Sequence, residues 1–298
     1  MAHNNHIIDG INKDFTNEKN RDYYLNLTKD FKSQLPDLII EKVEGVNVVR
    51  EDISLKGGTK SRAGEFLMSS IKKNTVVYCV PRVGHAAIAI MELAKMYGKE
   101  VVFFMPSSKE VSDHQAAVID MKPKEVHFER IAAMPNLNRI AKKYAEDNGY
   151  EFLPFGLNHT YVIAGFVHIA EQILKNYKEP EEMWTAISTG VLTRGLQIGF
   201  PNCDMHGVCV ARNMKAGELG RTKVISEPLD FYTHEKKENR PPFNSVSTYD
   251  SKVWKYVPKN SDKDVWFWNV AGEIYKPIMF DVSKVNSYRD WAKNIINK

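Results

Sequence analysis

Lys60 is the residue whose setting in this 298-residue sequence first suggests chemistry. It follows Gly57-Gly58-Thr59, just after an apolar strand-like run from Val46 to Val49, and stands at the head of a helical pattern. Adjacent glycines allow a tight turn or a close approach of backbone to ligand. A helix N-terminus favours anions and lowers the pKa of a nearby amine, which raises its neutral, nucleophilic fraction. Taken alone, the stretch reads more readily as a surface loop with two lysines, Lys56 and Lys60. A second candidate is Ser188-Thr189-Gly190-Val191-Leu192-Thr193, where backbone N–H groups and the Ser188, Thr189 and Thr193 hydroxyls can cradle a phosphate. A third junction of the same kind, Val83 to Ala86, carries Gly84 and His85. No G-x-G-x-x-G follows the first strand, which argues against a dinucleotide site. Cys203, His206 and Cys209 have a spacing that invites a metal. They flank or enter the apolar run Gly207 to Val210 with no second ligand pair nearby, so packing is expected there and no metal.

These loops need elements to hold them, and the chain supplies an alternation. A polar helix-compatible stretch, Asp14 to Phe31, precedes the first strand. Helix after Lys60, strand Thr75 to Val80, helix Ala86 to Met96 and strand Val101 to Phe104 follow. Ser107-Ser108-Lys109-Glu110 has the capping-box pattern of a helix start. Further strands are expected at Glu125 to Phe128, Tyr150 to Leu153, Met183 to Ile187, Val208 to Val210 and Trp266 to Val270. Helices are expected at Asn138 to Asp147, Tyr161 to Asn176 and from the Ser188 loop to Phe200. Such alternation implies α/β architecture with mainly parallel sheets, whose ligands sit where strand C-terminal ends meet helix N-termini. Thr233 to Asn244, charged and proline-containing, reads as a long surface loop, with an active-site cover as the alternative.

Composition narrows the setting. With 43% hydrophobic and 26% charged residues, the balance is that of an ordinary globular protein rather than a disordered chain. A net charge of +4 suits an anionic ligand and is too weak to argue for nucleic acid. Met1 to Lys13 lacks the apolar core of a secretory signal, and no apolar run approaches membrane-spanning length. Three cysteines give no disulfide framework, so a reducing, cytoplasmic setting is expected.

The order of these pieces resembles the tryptophan-synthase-β-like (fold type II) pyridoxal-phosphate enzymes. Within them it is most similar to the aminocyclopropane-carboxylate deaminase and D-cysteine desulfhydrase branch. That branch carries Arg-Glu-Asp and then Gly-Gly-Asn-Lys-x-Arg. The match here is Arg50-Glu51-Asp52, then Gly57-Gly58-Thr59-Lys60-Ser61-Arg62, with Thr59 in place of Asn. Where the family has a Ser-Asn pair before a small-residue helix, this sequence has Gly84-His85. Its Pro-x-Gly loop corresponds to Pro154-Phe155-Gly156. Its phosphate loop corresponds to Ser188 through Leu196, with Val191 and Leu192 replacing a small residue and a hydroxyl. Its late Tyr-Glu-Gly-Lys corresponds to Tyr249-Asp250-Ser251-Lys252.

The resemblance implies two three-layer α/β/α domains. The large cofactor domain would comprise residues 1–60 and 162–298, and the small one 61–161. It also implies pyridoxal 5'-phosphate as cofactor, an amino acid or amino-acid-like substrate, and a homodimer. Lys60 would be the Schiff-base lysine and later the proton carrier at the α-carbon. Asp250 would face the pyridine nitrogen, His85 the ring hydroxyl, and the loop Ser188-Thr189-Gly190-Val191-Leu192-Thr193 the phosphate, with Arg194 as a further contact. Tyr249 would stack or move protons near the substrate, and Arg82, Gly84 and Asn158 would line its place. Elimination with release of ammonia is the leading reaction. β-Replacement as in cysteine synthase, a substrate amino acid carried on a modified nucleotide, and a non-catalytic binding protein on the same fold are the alternatives.

Overall fold

The computed structural model describes residues 18–107, 111–130, 133–211 and 219–274. Residues up to Leu67 together with Asn158–Glu273 form one compact unit, and Met68–Leu157 another.

The first unit is built on a six-stranded sheet in the order β1-β2-β10-β7-β8-β9. Its strands are β1 (Ile40–Val43), β2 (Val46–Arg50), β7 (Glu182–Ile187), β8 (Asp204–Cys209), β9 (Lys223–Ser226) and β10 (Val265–Asn269). β1 and β2 form an antiparallel hairpin whose turn, Glu44-Gly45, has both residues at positive φ, the backbone that two-residue hairpins require. Every other pair is parallel. Alternation along β10 sends its side chains to opposite faces. Phe267 packs edge-on to Trp254 on one face, and Trp268 meets Phe166 on the other. The helices of this unit are α1 (Glu18–Leu27), the single turn α2 (Glu51–Ser54), α3 (Thr59–Ser70, which continues into the second unit), α7 (Thr160–Asn176), α8 (Val191–Gly199) and α9 (Ser251–Trp254). α7 and α8 lie close because small residues face across them. A Cβ on Gly195 would stand 2.4 Å from Phe166 Cβ, and one on Gly199 2.3 Å from Ala170 Cβ.

The second unit has a four-stranded, wholly parallel sheet in the order β5-β4-β3-β6. Its strands are β3 (Thr75–Cys79), β4 (Glu100–Pro106), β5 (Glu125–Glu129) and β6 (Glu151–Phe152), joined by α4 (Ala86–Met96), α5 (Asp113–Asp120) and α6 (Met134–Asp147). Val77, Cys79, Val102 and Phe104 form one core with Leu137, Ala141 and Ala145 of α6. β3 is buried at every position, as a central parallel strand covered on both faces should be.

The expected mainly parallel α/β architecture is therefore present. Some boundaries differ. Ser107 lies outside any helix, 108–110 lie outside the described residues, and the capping box that starts α5 is Ser112 with Gln115. β8 begins at Asp204 rather than Val208, and the Thr233 to Asn244 loop contains a 3-10 turn at Lys237–Asn239. Among the described residues, no helix is long and apolar enough to cross a membrane.

Candidate functional site

The seat of Lys60 is made by the ends of β2 and β10. Arg50, the last residue of β2, grips Asp52 through two hydrogen bonds of 2.8 Å and also pairs with Glu41. Asp52 accepts a 2.7 Å bond from Asn269 at the end of β10, so the acid ties two strand ends together. Glu51, fully buried, accepts a 2.7 Å bond from Arg62, one turn into α3. The Arg-Glu-Asp run thus anchors the loop that delivers Lys60. The loop then turns at Gly58, whose φ is +58°. A Cβ there would fall 2.1 Å from the Val270 carbonyl oxygen, so only glycine fits. The Thr59 N–H donates to that same carbonyl at 2.8 Å, and the Thr59 hydroxyl accepts from the buried Trp268 indole at 2.8 Å. Lys60 follows on α3 with its predecessor's hydroxyl fixed to Trp268 on β10 and its predecessor's N–H to Val270 just past that strand.

Lys60 is half-buried by surface area, and protein packs densely about its amine. Burial, followed by the nearby Arg194 charge, lowers its pKa from 10.5 to about 8. The amine is therefore far closer to neutrality at physiological pH than a solvated lysine's.

Lys60, Thr59, Ala186, Thr189, Gly190, Val191, Leu192, Tyr249 and Val270 line one cavity of about 20 Å³. It lies where β7 gives way to α8. Gly190, the residue before α8, has φ +77° and caps it without a side-chain hydrogen bond. Of the expected phosphate loop, Thr189 through Leu192 line this cavity and Ser188 is half-buried beside them. Thr193 turns elsewhere: its hydroxyl is 2.8 Å from that of Thr185 on β7. Arg194, 3% exposed, reaches back under the loop. It donates to Thr189 O at 2.7 Å, Gly190 O at 3.3 Å and Asn158 Oδ1 at 3.3 Å. Asn158, expected near substrate, accepts from Arg194.

Tyr249 and Asp250 precede α9. The Tyr249 hydroxyl donates to Ala186 O at 3.4 Å, at the end of β7, and burial pushes its pKa far above the ordinary tyrosine range. Asp250 is fully buried. Its Oδ2 accepts from the Val270 N–H at 3.1 Å, while its Oδ1 has no hydrogen bond. Burial raises the Asp250 pKa well above the usual carboxylate value. The Val270 and Ala271 N–H groups oppose that shift, and the Asp52 charge adds to it. Lys252 does not neutralise this acid: its amine donates to the Asp230 and Phe231 carbonyls at 2.7 and 3.4 Å.

Arg82, Gly84 and His85 belong to the second unit, at the end of β3. Gly84 has φ +139°. His85 precedes α4 without capping it through its side chain, and stacks edge-on to His114 at 5.3 Å. The Arg82 carbonyl accepts from the Ser112 hydroxyl. Elsewhere, Cys203 and Cys209 are buried and outside any disulfide, and His206 lies instead within 4.8 Å of Glu182 and Asp204. Those two carboxylates already hold lysines, Lys263 and Lys223, each at 2.6 Å. A larger groove of about 860 Å³ runs under the Lys29–Ile40 segment against α7, away from every expected site residue.

No protein-family model matches the chain, and no curated protein matches it in sequence. Solved structures do. An ACC deaminase homologue aligns over 91% of this chain and 98% of its own, with TM-score 0.68 at 15% identity. Threonine deaminase isoform 2 from Solanum lycopersicum, in its processed form, aligns over 94% and 89% with TM-score 0.64 at 13% identity. Maize serine racemase covers 94% and 98% with TM-score 0.64 at 12% identity. The chain has the fold of the type II pyridoxal-phosphate enzymes. In that fold Lys60, the Thr189–Leu192 loop, Tyr249 and Asp250 all come from one unit, at the strand ends where parallel α/β sheets bind ligands. The resemblance singles out Arg194 only as a further phosphate contact. Its grip on the loop's carbonyls has no signature in the spacing, because an arginine four residues into a helix is ordinarily solvated.

Proposed function

We propose that the chain is a pyridoxal-phosphate-dependent enzyme acting on an amino acid or amino-acid-like amine, with elimination and release of ammonia as its reaction. The observation that carries this reading is Lys60, a lysine with its pKa lowered to about 8, lining one cavity with the loop that opens α8. Structural neighbours that include threonine deaminase, diaminopropionate ammonia lyase and serine racemase support the same class.

The residues fit pyridoxal phosphate by their chemistry. A partly neutral lysine amine suits the aldehyde. The N–H groups at the head of α8, backed by the buried Arg194, suit a phosphate. The Asp250 Oδ1, buried without a hydrogen bond, suits a ring N–H. The space enclosed by this unit is small, so the donor set carries the fit rather than the volume.

When bound, pyridoxal phosphate supplies a ring that delocalises the electron pair left as an α-hydrogen departs. In this reading Lys60 takes that proton on Nζ, which its lowered pKa permits near neutral pH. Asp250 would hold the cofactor's pyridine N–H, since burial disfavours a lone carboxylate and favours one facing an N–H. Tyr249, fixed by Ala186, walls the cavity and excludes water from its floor. A cytoplasmic homodimer completes the reading. Borohydride reduction of protein saturated with pyridoxal phosphate should leave the cofactor on the Lys60 peptide in mass mapping. A cofactor found on another lysine, or on none, sinks the proposal. Screening amino acids for keto-acid and ammonia release then selects the reaction.

A further inference from the structure

A trans peptide points its C=O and N–H in opposite directions. The Thr189 carbonyl shares a peptide with the Gly190 N–H, and the Gly190 carbonyl shares one with the Val191 N–H. Arg194 draws both carbonyls to itself, at 2.7 and 3.3 Å. Those two N–H groups must then face away from the guanidinium, and Gly190 and Val191 line the cavity on which Lys60 also opens. The left-handed Gly190 between them shapes the successive N–H groups into the concavity that binds anions. The guanidinium, 3% exposed, thus sits behind the loop, donating to the Thr189 and Gly190 carbonyls and to Asn158 Oδ1.

We propose that Arg194 is the positioning residue that makes this loop a phosphate-monoester site, aiming the Gly190 and Val191 N–H groups and lending its charge where Val191 and Leu192 offer no hydroxyl. It acts through the loop rather than as a catalytic residue. Asn158 holds one of its nitrogens in place. The inference rests on the proposed function in taking the entering group to be the cofactor's phosphate.

The test compares wild type, Arg194→Gln and Arg194→Lys as apo proteins against inorganic phosphate, pyridoxal and pyridoxal phosphate. Phosphate should raise the melting temperature of wild type and not of Arg194→Gln. Arg194→Gln should weaken pyridoxal phosphate by about tenfold to a hundredfold, the range set by hydrogen bonds to charged groups, and leave pyridoxal unchanged. Arg194→Lys, which keeps the charge without the planar fork, should recover part of the loss. Equal weakening of both aldehydes, or unchanged stabilisation by phosphate, overturns the proposal. Where Arg194→Gln does not fold, the lysine variant decides alone: an undiminished preference for the phosphorylated aldehyde overturns it. Loss of phosphate stabilisation in Arg194→Gln, with no lysine adduct in wild type, supports this inference and overturns only the cofactor reading.

Discussion

Replacing Lys60 with methionine should stabilise the apo protein at neutral pH, although it removes the central functional group. The amine's pKa falls from 10.5 to about 8 on folding. At about 1.4 kcal/mol per pKa unit, the drop of two and a half corresponds to about 3 kcal/mol, a ceiling because the residue is only half-buried. The sign follows from proton counting. Below pH about 8 both folded and unfolded chains hold the proton, and the folded state bears the full penalty. Between about 8 and 10.5 the unfolded chain still holds a proton that the folded chain has released, so wild-type stability rises with pH. Above that window both are neutral and the penalty is gone. Methionine has a similar length and no charge, so its packing difference is constant with pH. Urea unfolding of the two apo proteins should therefore give a gap of up to about 3 kcal/mol at pH about 7 that shrinks through pH 8 to 10.5. A gap that does not change with pH would refute the reasoning, because an ordinary solvated lysine titrates alike in both states.

Two further outcomes follow from the same seat. Asp250→Asn should gain stability on wild type as pH rises above about 4, the unfolded carboxylate's pKa. The raised pKa of Asp250 means that the folded chain keeps a proton the unfolded chain loses, or bears the cost of a buried charge. Equilibrium unfolding at several pH values reads this directly, and parallel curves for the two proteins would contradict the burial of the acid. Thr59→Val keeps the shape but removes the acceptor for the Trp268 indole, leaving a buried N–H without a partner. A loss of about 1–3 kcal/mol is expected, with pyridoxal-phosphate affinity falling as the seat of Lys60 loosens. A neutral result in denaturation would mean the indole finds another acceptor.

The parts of this protein legible in the sequence are those where local pattern and tertiary context agree. β3 is apolar and β-branched throughout because it is central and parallel, and its neighbours follow at the spacing of βαβ units. Lys60 was visible because a strand, two glycines and a helix head converge on it. The edges were not. β1 reads Ile-Glu-Lys-Val and β9 Lys-Val-Ile-Ser, short edge strands largely open to solvent whose sequences resemble loops. The start of α5 is ambiguous in the sequence because Ser107 and Ser112 each head a capping-box pattern, and only the structure shows that Ser112 and Gln115 exchange both bonds. Within the site, Thr59 reads as a departure from the family's asparagine. Its partner Trp268 lies far along the chain, and no periodicity joins the two. The same holds for Asp52 with Asn269.

That separation in sequence has a consequence for how the protein is made. β2 pairs directly with β10, so the centre of the larger sheet joins an early strand to one of the last described. A ribosome releases the residues around Lys60 long before it releases Trp268 and Val270, which fix them. The strands β3 to β6 of the second unit are all in hand by then, whereas the loop bearing Lys60 must wait. A chain halted before Val265 would carry the lysine without the strand that seats it, so capture of a ligand there reports that synthesis has passed β10.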